Sequence, residues 1–280
     1  MILHITHNDL DGAGCGIIVK KALHKTDTYY LNYDEVDEFL IKSYVNYDKI
    51  IITDVVPSKD VFDLIRRERD VLLIDHHKTT LHFRKYKGVI HSMEKCATLL
   101  TYEWLINEGY EISNYEDFVK LVNDYDIWIL DDRRSLDLNM LFYLYGLERF
   151  VDRFLKKPSV DFEDKENFLL EIEKCRQKDY LIRAKDYITI NKDKEGKKFG
   201  YLFAEMYNSE LGHFLINEFS LDYVIIINAQ KKKISLRSRK DIDVSNIAKK
   251  NGGGGHKNAA GFSTDFDFGI NQFLKDIGVT

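Results

Sequence analysis

Proline is nearly missing from this chain, with two residues in 280, and four of its 16 glycines sit in a single run near the end. A sequence so poor in both leaves little room for flexible or polyproline linkers, so its domains are expected to pack closely or to be joined by helix. Cysteine is also sparse. Cys15, Cys96 and Cys175 are odd in number, scattered, and form no C-x-x-C pair, which excludes a disulfide framework or a zinc ribbon and fits a reducing compartment. No stretch approaches 18 consecutive apolar residues, and runs such as V-I-I-I at 224–227 have the length of buried strands. The opening M-I-L-H-I-T-H-N-D-L-D-G lacks the basic start and long apolar region of a secretory signal. A soluble, cytoplasmic protein is the expectation. Excess positive charge is absent too: the formal net charge is −5, which argues against wholesale attraction to nucleic acid. Locally the balance reverses, with nine Lys/Arg against two Asp between Lys231 and Lys257, so anion binding is expected toward the C-terminal part.

What remains is ordinary globular composition, 44% hydrophobic and 31% charged, in a length that suits two domains. The first 130 residues alternate short apolar runs with amphipathic stretches, the pattern of a parallel α/β sheet. Strands are expected at 2–6, 28–33, 49–53, 71–74 and 88–91, with helices at 14–23 and 59–69. From about 96 to 190 the pattern is mainly helical, and the charged amphipathic stretch at 162–188 reads as a connector. Strands are expected again at 200–206, 222–228 and 233–238, with helices near 209–219, 243–250 and 265–275. The expected fold is therefore α/β: a parallel-sheet domain (1–155), a helical connector (156–192) and a smaller α/β domain (193–280), with the active site in the cleft between the domains.

The acids and histidines fall at strand ends. Strand one runs into His7, Asp9 and Asp11, strand three into Asp54, and strand four into Asp75, His76 and His77. In an open parallel sheet the carboxyl ends lie along one edge, where ligands bind. A single Asp after a strand is ordinarily a helix cap or turn residue. Three Asp/His clusters on one edge are costly to desolvate unless a cation neutralises them, and His with carboxylates suits hard divalent ions such as manganese. D-x-D-G lacks the downstream Glu of an EF-hand loop. A fourth cluster, N-D-Y-D-I-W at 123–128, offers Asp124 or Asp126 from a helix end, and spacing alone leaves the two open.

G-G-G-G-H-K-N-A-A-G-F (252–262) removes side chains from four successive positions, so backbone amides can approach an anion closely, with His256 and Lys257 adding donors. No Gly-Lys-Ser/Thr follows, so this is not a nucleoside-triphosphate loop. Upstream, two-residue periodicity places Arg237 and Arg239 on one face of a strand.

Together these motifs resemble the DHH phosphoesterase superfamily, named for the triplet at Asp75-His76-His77, with the first type of DHH-associated C-terminal domain carried by the glycine-His run. H-N-D-L-D-G, followed by I-D-H-H-K-T and the C-A-T-x-L stretch at 96–100, is most similar to the short-RNA-degrading oligoribonuclease branch called nanoRNase B. The resemblance covers almost the whole chain. It implies one metal on His7, Asp9 and Asp54 and a second on Asp11, Asp54, His76 and Asp124, with Asp54 bridging and motif alignment favouring Asp124 over Asp126. Several relatives place the first-motif histidine four residues before the first aspartate, whereas His7 lies two before Asp9. The resemblance further implies that His77 contacts the scissile phosphate, that Asp75 orients a histidine, and that Arg237, Gly254, Gly255 and His256 hold a substrate phosphate. Two divalent ions, manganese or magnesium, are the implied cofactors, and short single-stranded RNA, or DNA, the implied substrate, with bases stacking on aromatics such as Tyr125 or Trp128. Oligomeric state is left open, a homodimer being compatible. The alternative activities are a phosphatase of 3′-phosphoadenosine 5′-phosphate or a cyclic or linear dinucleotide phosphodiesterase. A long-strand exonuclease resembling RecJ is disfavoured by the lack of an added nucleic-acid-binding domain, and a non-catalytic sensor by the intact set of carboxylates.

Overall fold

A computed structural model of the chain describes residues 1–264. It divides into two compact units, residues 1–171 and 172–280; the helix expected at 265–275 lies outside the described residues.

The first unit is built on five parallel strands, β1 (Ile2–His7), β2 (Thr26–Leu31), β3 (Lys49–Thr53), β4 (Asp70–Asp75) and β5 (Val89–His91), in the order β2-β1-β3-β4-β5. Runs such as K-I-I-I-T and D-V-L-L-I-D are apolar at successive positions because both sheet faces are covered, as parallel sheets require. On one face Leu3, Ile5, Ile50, Ile52 and Leu73 pack with Val61, Phe62 and Ile65 of α3 (Lys59–Glu68) and with Val36 and Leu40 of α2 (Val36–Ser43). The other face carries α1 (Leu10–Ala22), α4 (Ala97–Asn107), α5 (Glu116–Asp126) and α6 (Arg134–Lys156, interrupted at Gly146), whose apolar side chains form a second core around Ile17, Leu105, Phe118, Phe150 and Phe154.

After β1 the chain passes through α1 to β2 on one side, then crosses to β3 on the other. The carboxyl ends of β1 and β3 therefore flank the topological switch point. α1 begins against that edge. A side chain at Gly12 would place its Cβ 1.9 Å from the His7 carbonyl oxygen, and one at Gly14 would meet Thr98 at 2.3 Å. Two glycines thus let the helix start hard against the strand end and against α4.

α7 (Asp164–Ala184) spans the division between the units. The second unit is a mixed six-stranded sheet of β6 (Thr189–Lys192), β7 (Lys198–Phe203), β8 (Tyr223–Asn228), β9 (Lys233–Ser238), β10 (Gly254–Gly255) and β11 (Ala259–Ser263), ordered β10-β11-β9-β8-β7-β6 and parallel only between β7 and β8. Leu211, Leu215 and Ile216 of α8 (Asn208–Phe219) pack on Val224 and Ile226, with Tyr180 and Leu181 of α7 beside them. Val244 and Ala248, at α9 (Ser245–Lys250), join Leu236 and Ala260 in a separate cluster.

The expected helical connector therefore ends early. Residues 189–192, read as its tail, form β6, a short strand exposed along its length that carries no apolar alternation to signal it. α2 was likewise not expected.

Candidate active site

The carboxyl ends of β1, β3 and β4 and the C-terminal end of α5 bring together His7, Asp9, Asp11, Asp54, Asp75, His76, His77 and Asp126. Asp9 caps α1, accepting from the Gly12 amide at 3.0 Å. Its other oxygen lies 2.8 Å from His7 Nδ1, and Asp54 Oδ2 is 3.9 Å from that same nitrogen. Asp11, in the first turn of the helix, accepts from the amides of Ala97 and Thr98, each at 2.8 Å, while the Thr98 hydroxyl donates to the Asp11 carbonyl at 2.7 Å. The start of α4, with Cys96 as its cap, is thus a ready anion holder that fixes this carboxylate. That is the physical content of the C-A-T stretch.

Asp54 has a left-handed backbone, φ +59°, and its amide donates to the Ile74 carbonyl at 3.0 Å. A non-glycine residue is held there only when its surroundings fix it. The turn points its side chain back across the sheet edge: Oδ1 lies 3.3 Å from His76 Nε2, which is 3.5 Å from Asp11 Oδ2 and 3.5 Å from Asp126 Oδ2.

The two acids left open at the end of α5 face different ways. Asp124, the expected ligand, turns its carboxylate to the loop after α5, accepting from the amides of Asp131 at 3.0 Å and Asp132 at 3.4 Å, while its carbonyl accepts from Ile129 and Leu130. Trp128 and Leu130 adopt left-handed conformations in this loop, and Asp124 ties it down. Asp126, two residues on, faces the cluster instead. Tyr125, proposed as a base-stacking residue, packs against the first unit's core.

His77 is oriented from behind. Its Nδ1 donates to Asp75 Oδ1 at 2.9 Å, its amide contacts Asp75 Oδ2 at 3.3 Å, and Thr80 donates its hydroxyl to that same carboxylate. His91 lies 2.9 Å from the His77 carbonyl, and Arg84 donates to His91 Nδ1 at 3.1 Å. Thr80, Arg84 and His91 were not anticipated; the K-T-T following the triplet was the signal available.

The donor sets of this cluster include His7/Asp9/Asp54 and Asp11/Asp54/His76, each with its ligand atoms within 4.8 Å of one another. Oδ2 of both Asp54 and Asp126 is buried without a hydrogen-bond partner among the described residues. Native proteins seldom leave such atoms unsatisfied. Burial first, then the neighbouring Asp11 and Asp9 carboxylates, pushes Asp54 and Asp126 well above the usual carboxylate range. Asp9 and Asp75 go the other way: burial opposes their ionisation, but His7 beside Asp9 and His77 beside Asp75 hold them below it. Orphaned carboxylate oxygens crowded together beside imidazoles fit divalent cations, whose charge relieves this repulsion.

Two thiols lie nearby. Cys15 and Cys96 are fully buried, Cys15 beside Thr98 and Thr101, and burial pushes both thiols up, whereas Cys175 on α7 is exposed.

In the second unit Arg237 crosses beneath α8 at Gly212, where a Cβ would lie 2.5 Å from its Cγ, and donates to Ser209 Oγ at 3.0 Å. Arg239 is taken up by Asp222 at 2.5 Å. Arg237 stands opposite Ala259 in the β9–β11 register, and Ala259 closes a tight hairpin with His256, whose amide donates to it at 2.8 Å. Gly254 and Gly255 form β10 against Gly261 and Ala260, so half of the glycine run is strand, not open loop.

Comparison with known proteins agrees with this geometry. The DHHA1 domain model matches residues 209–277. Oligoribonuclease NrnB of Bacillus subtilis is 34% identical over 92% of this chain and 71% of its own length. Among solved structures, the DHH domain of a protein assigned to a family of ribosomal proteins superposes with a TM-score of 0.65 at 13% identity, over 99% of this chain and 86% of that one. Exonuclease RecJ bound to manganese does so with a TM-score of 0.55 at 16% identity, over 99% and 88%. Identity at that level to NrnB, over most of both chains, together with the D-H-H triplet at the end of β4, places this protein in the DHH phosphoesterase superfamily, in the family of the oligoribonuclease NrnB.

Proposed function

We propose that this chain is a metal-dependent phosphodiesterase, an oligoribonuclease that hydrolyses short RNA oligonucleotides to nucleoside monophosphates. The observation that carries this reading is that one carboxylate, Asp54, belongs to both donor sets. A carboxylate open to two ions would suit the two-ion chemistry of in-line displacement at phosphorus. In this reading His7, Asp9 and Asp54 hold one ion, and Asp11, Asp54, His76 and Asp126 the other. Manganese suits a set made of carboxylates and imidazoles, and the solved RecJ relative carries it. Bound there, divalent ions neutralise the phosphoryl oxygens and ease deprotonation of the attacking water.

The chain's own part is to hold groups still. His77 faces the scissile phosphate, its ring fixed by Asp75 and its backbone by His91. Arg237, with Gly254, Gly255 and His256, contacts a substrate phosphate as a charge-assisted donor set. Among the described residues no helix is long and apolar enough to cross a membrane.

The test incubates the protein with manganese and end-labelled RNA and DNA oligomers of two to about twenty-five nucleotides, beside 3′-phosphoadenosine 5′-phosphate and a cyclic dinucleotide. Mononucleotides released fastest from the shortest RNAs support the proposal. Preference for 3′-phosphoadenosine 5′-phosphate would make the chain a nucleotide phosphatase, and equal cleavage of long and short strands would remove the short-substrate reading.

Removing these phosphate contacts should separate binding from chemistry. Arg237→Ala and His256→Ala are each expected to raise KM for a 5′-phosphorylated RNA trimer by about tenfold or more, the scale of a lost charge-assisted hydrogen bond. Hydrolysis of bis-p-nitrophenyl phosphate should change less than twofold. Proportional losses on both substrates would put these residues in the catalytic centre or in the fold.

A further inference from the structure

Tyr33 belongs to none of the motifs above. It follows β2, two residues beyond the strand's last paired position, and reaches over the edge of the sheet toward the cluster. Its ring lies 4.7 Å from that of His7, tilted by 43°, and stands edge-on to His77 at 6.0 Å. The hydroxyl is 3.2 Å from His77 Nε2 and 3.4 Å from the Asp54 carbonyl oxygen. Just over half of the residue, 51%, remains exposed, so it is not a core side chain whose hydroxyl found the nearest acceptor.

Asp75 Oδ1 takes Nδ1 of the ring, so the phenol meets it at Nε2; with its own hydrogen directed to the Asp54 carbonyl, the phenol oxygen is placed to accept from Nε2. An imidazole held at one nitrogen can still swing about that bond; held at both, it keeps one plane. Asp75 and Tyr33 grip His77 from opposite ends, one from behind the sheet edge and one from its open side.

We propose that Tyr33 is a positioning residue for phosphodiester hydrolysis: its hydroxyl holds the His77 imidazole in one plane, with Nε2 directed to the open side of the sheet edge, where it is shared with the scissile phosphate. This inference rests on the proposed function, because it takes His77 to face that phosphate. The Tyr33 ring over His7 is compatible with a different task, stacking on a nucleobase, but a stacking platform needs no hydroxyl aimed at a histidine.

Tyr33→Phe keeps the ring and removes the hydroxyl. The expected result is a fall in kcat of about tenfold, the rate equivalent of one lost hydrogen bond, on both an RNA trimer and bis-p-nitrophenyl phosphate. KM, melting temperature and bound manganese should match wild type. In the His77→Ala background the same change should have no further effect, since a residue that acts through His77 has nothing left to position. Full activity of Tyr33→Phe, with Tyr33→Ala raising KM for the trimer alone, would make the residue a base platform and overturn the proposal. An additive loss in the double variant would overturn it as well. Bis-p-nitrophenyl phosphate keeps the two readings separable: if wild type cleaves it but no RNA, the substrate assignment fails while the role of Tyr33 is still measured.

Discussion

Replacing Asp54 by asparagine is expected to end turnover and leave the fold unharmed. Asp54 supplies ligand atoms to both donor sets, so the substitution removes a negative charge from each at once. A loss of about a thousandfold or more is expected, beyond what one preorganised contact at a reacting centre ordinarily contributes. The backbone makes asparagine the right choice. At φ +59° alanine would add strain of about 1–2 kcal/mol, whereas asparagine tolerates this region, so a lost rate reports the ligand and not the turn. Burial and the adjacent carboxylates already disfavour the charged form of Asp54; the melting temperature without added metal should therefore hold or rise. The measurement is kcat at saturating manganese beside thermal denaturation and metal content. Activity within tenfold of wild type would dismiss the shared-ligand arrangement.

The second large effect distinguishes two acids two residues apart. Asp126→Asn should lower kcat by about a hundredfold or more with little change in stability, because its carboxylate faces His76 and carries a buried orphan oxygen. Asp124→Asn should do the reverse. It trades a carboxylate that accepts from two amides for a group with one acceptor oxygen, costing about 1 kcal/mol and lowering the melting temperature by about 2–4 °C, with kcat reduced less than tenfold. If Asp124→Asn is the more damaging to turnover at saturating manganese, the placement of the loop after α5 is wrong.

This pair also marks where sequence reasoning stops. The ends of β1, β3 and β4 were legible because apolar runs break into Asp and His at each, and the parallel order follows from the alternation of strands and helices. Which of Asp124 and Asp126 turns inward was not, because the answer lies in the loop after α5. That loop takes left-handed conformations at Trp128 and Leu130 with no glycine to announce them, and only its need for a carboxylate anchor turns Asp124 away. Tyr33 was hidden for a related reason. The expected strand ran to residue 33, which would have made the tyrosine a sheet-face residue, but pairing with β1 ends at Leu31 and frees the next residues to curl over the edge. The second unit's Arg237 and Arg239 looked alike by strand periodicity, and only the ion pair with Asp222 separates them.

The distribution of the three cysteines gives the folded chain a built-in reporter of its own opening. Cys175 is on the surface, while Cys15 and Cys96 are sealed beside the carboxylate cluster with their thiols kept protonated by burial. A thiol alkylates through its thiolate, so iodoacetamide should modify the native protein once, and quickly, on α7. Modification of the other two then has to wait for the helices over the first sheet to lift. Its rate, followed by mass spectrometry, reads the opening of the catalytic unit without an introduced label.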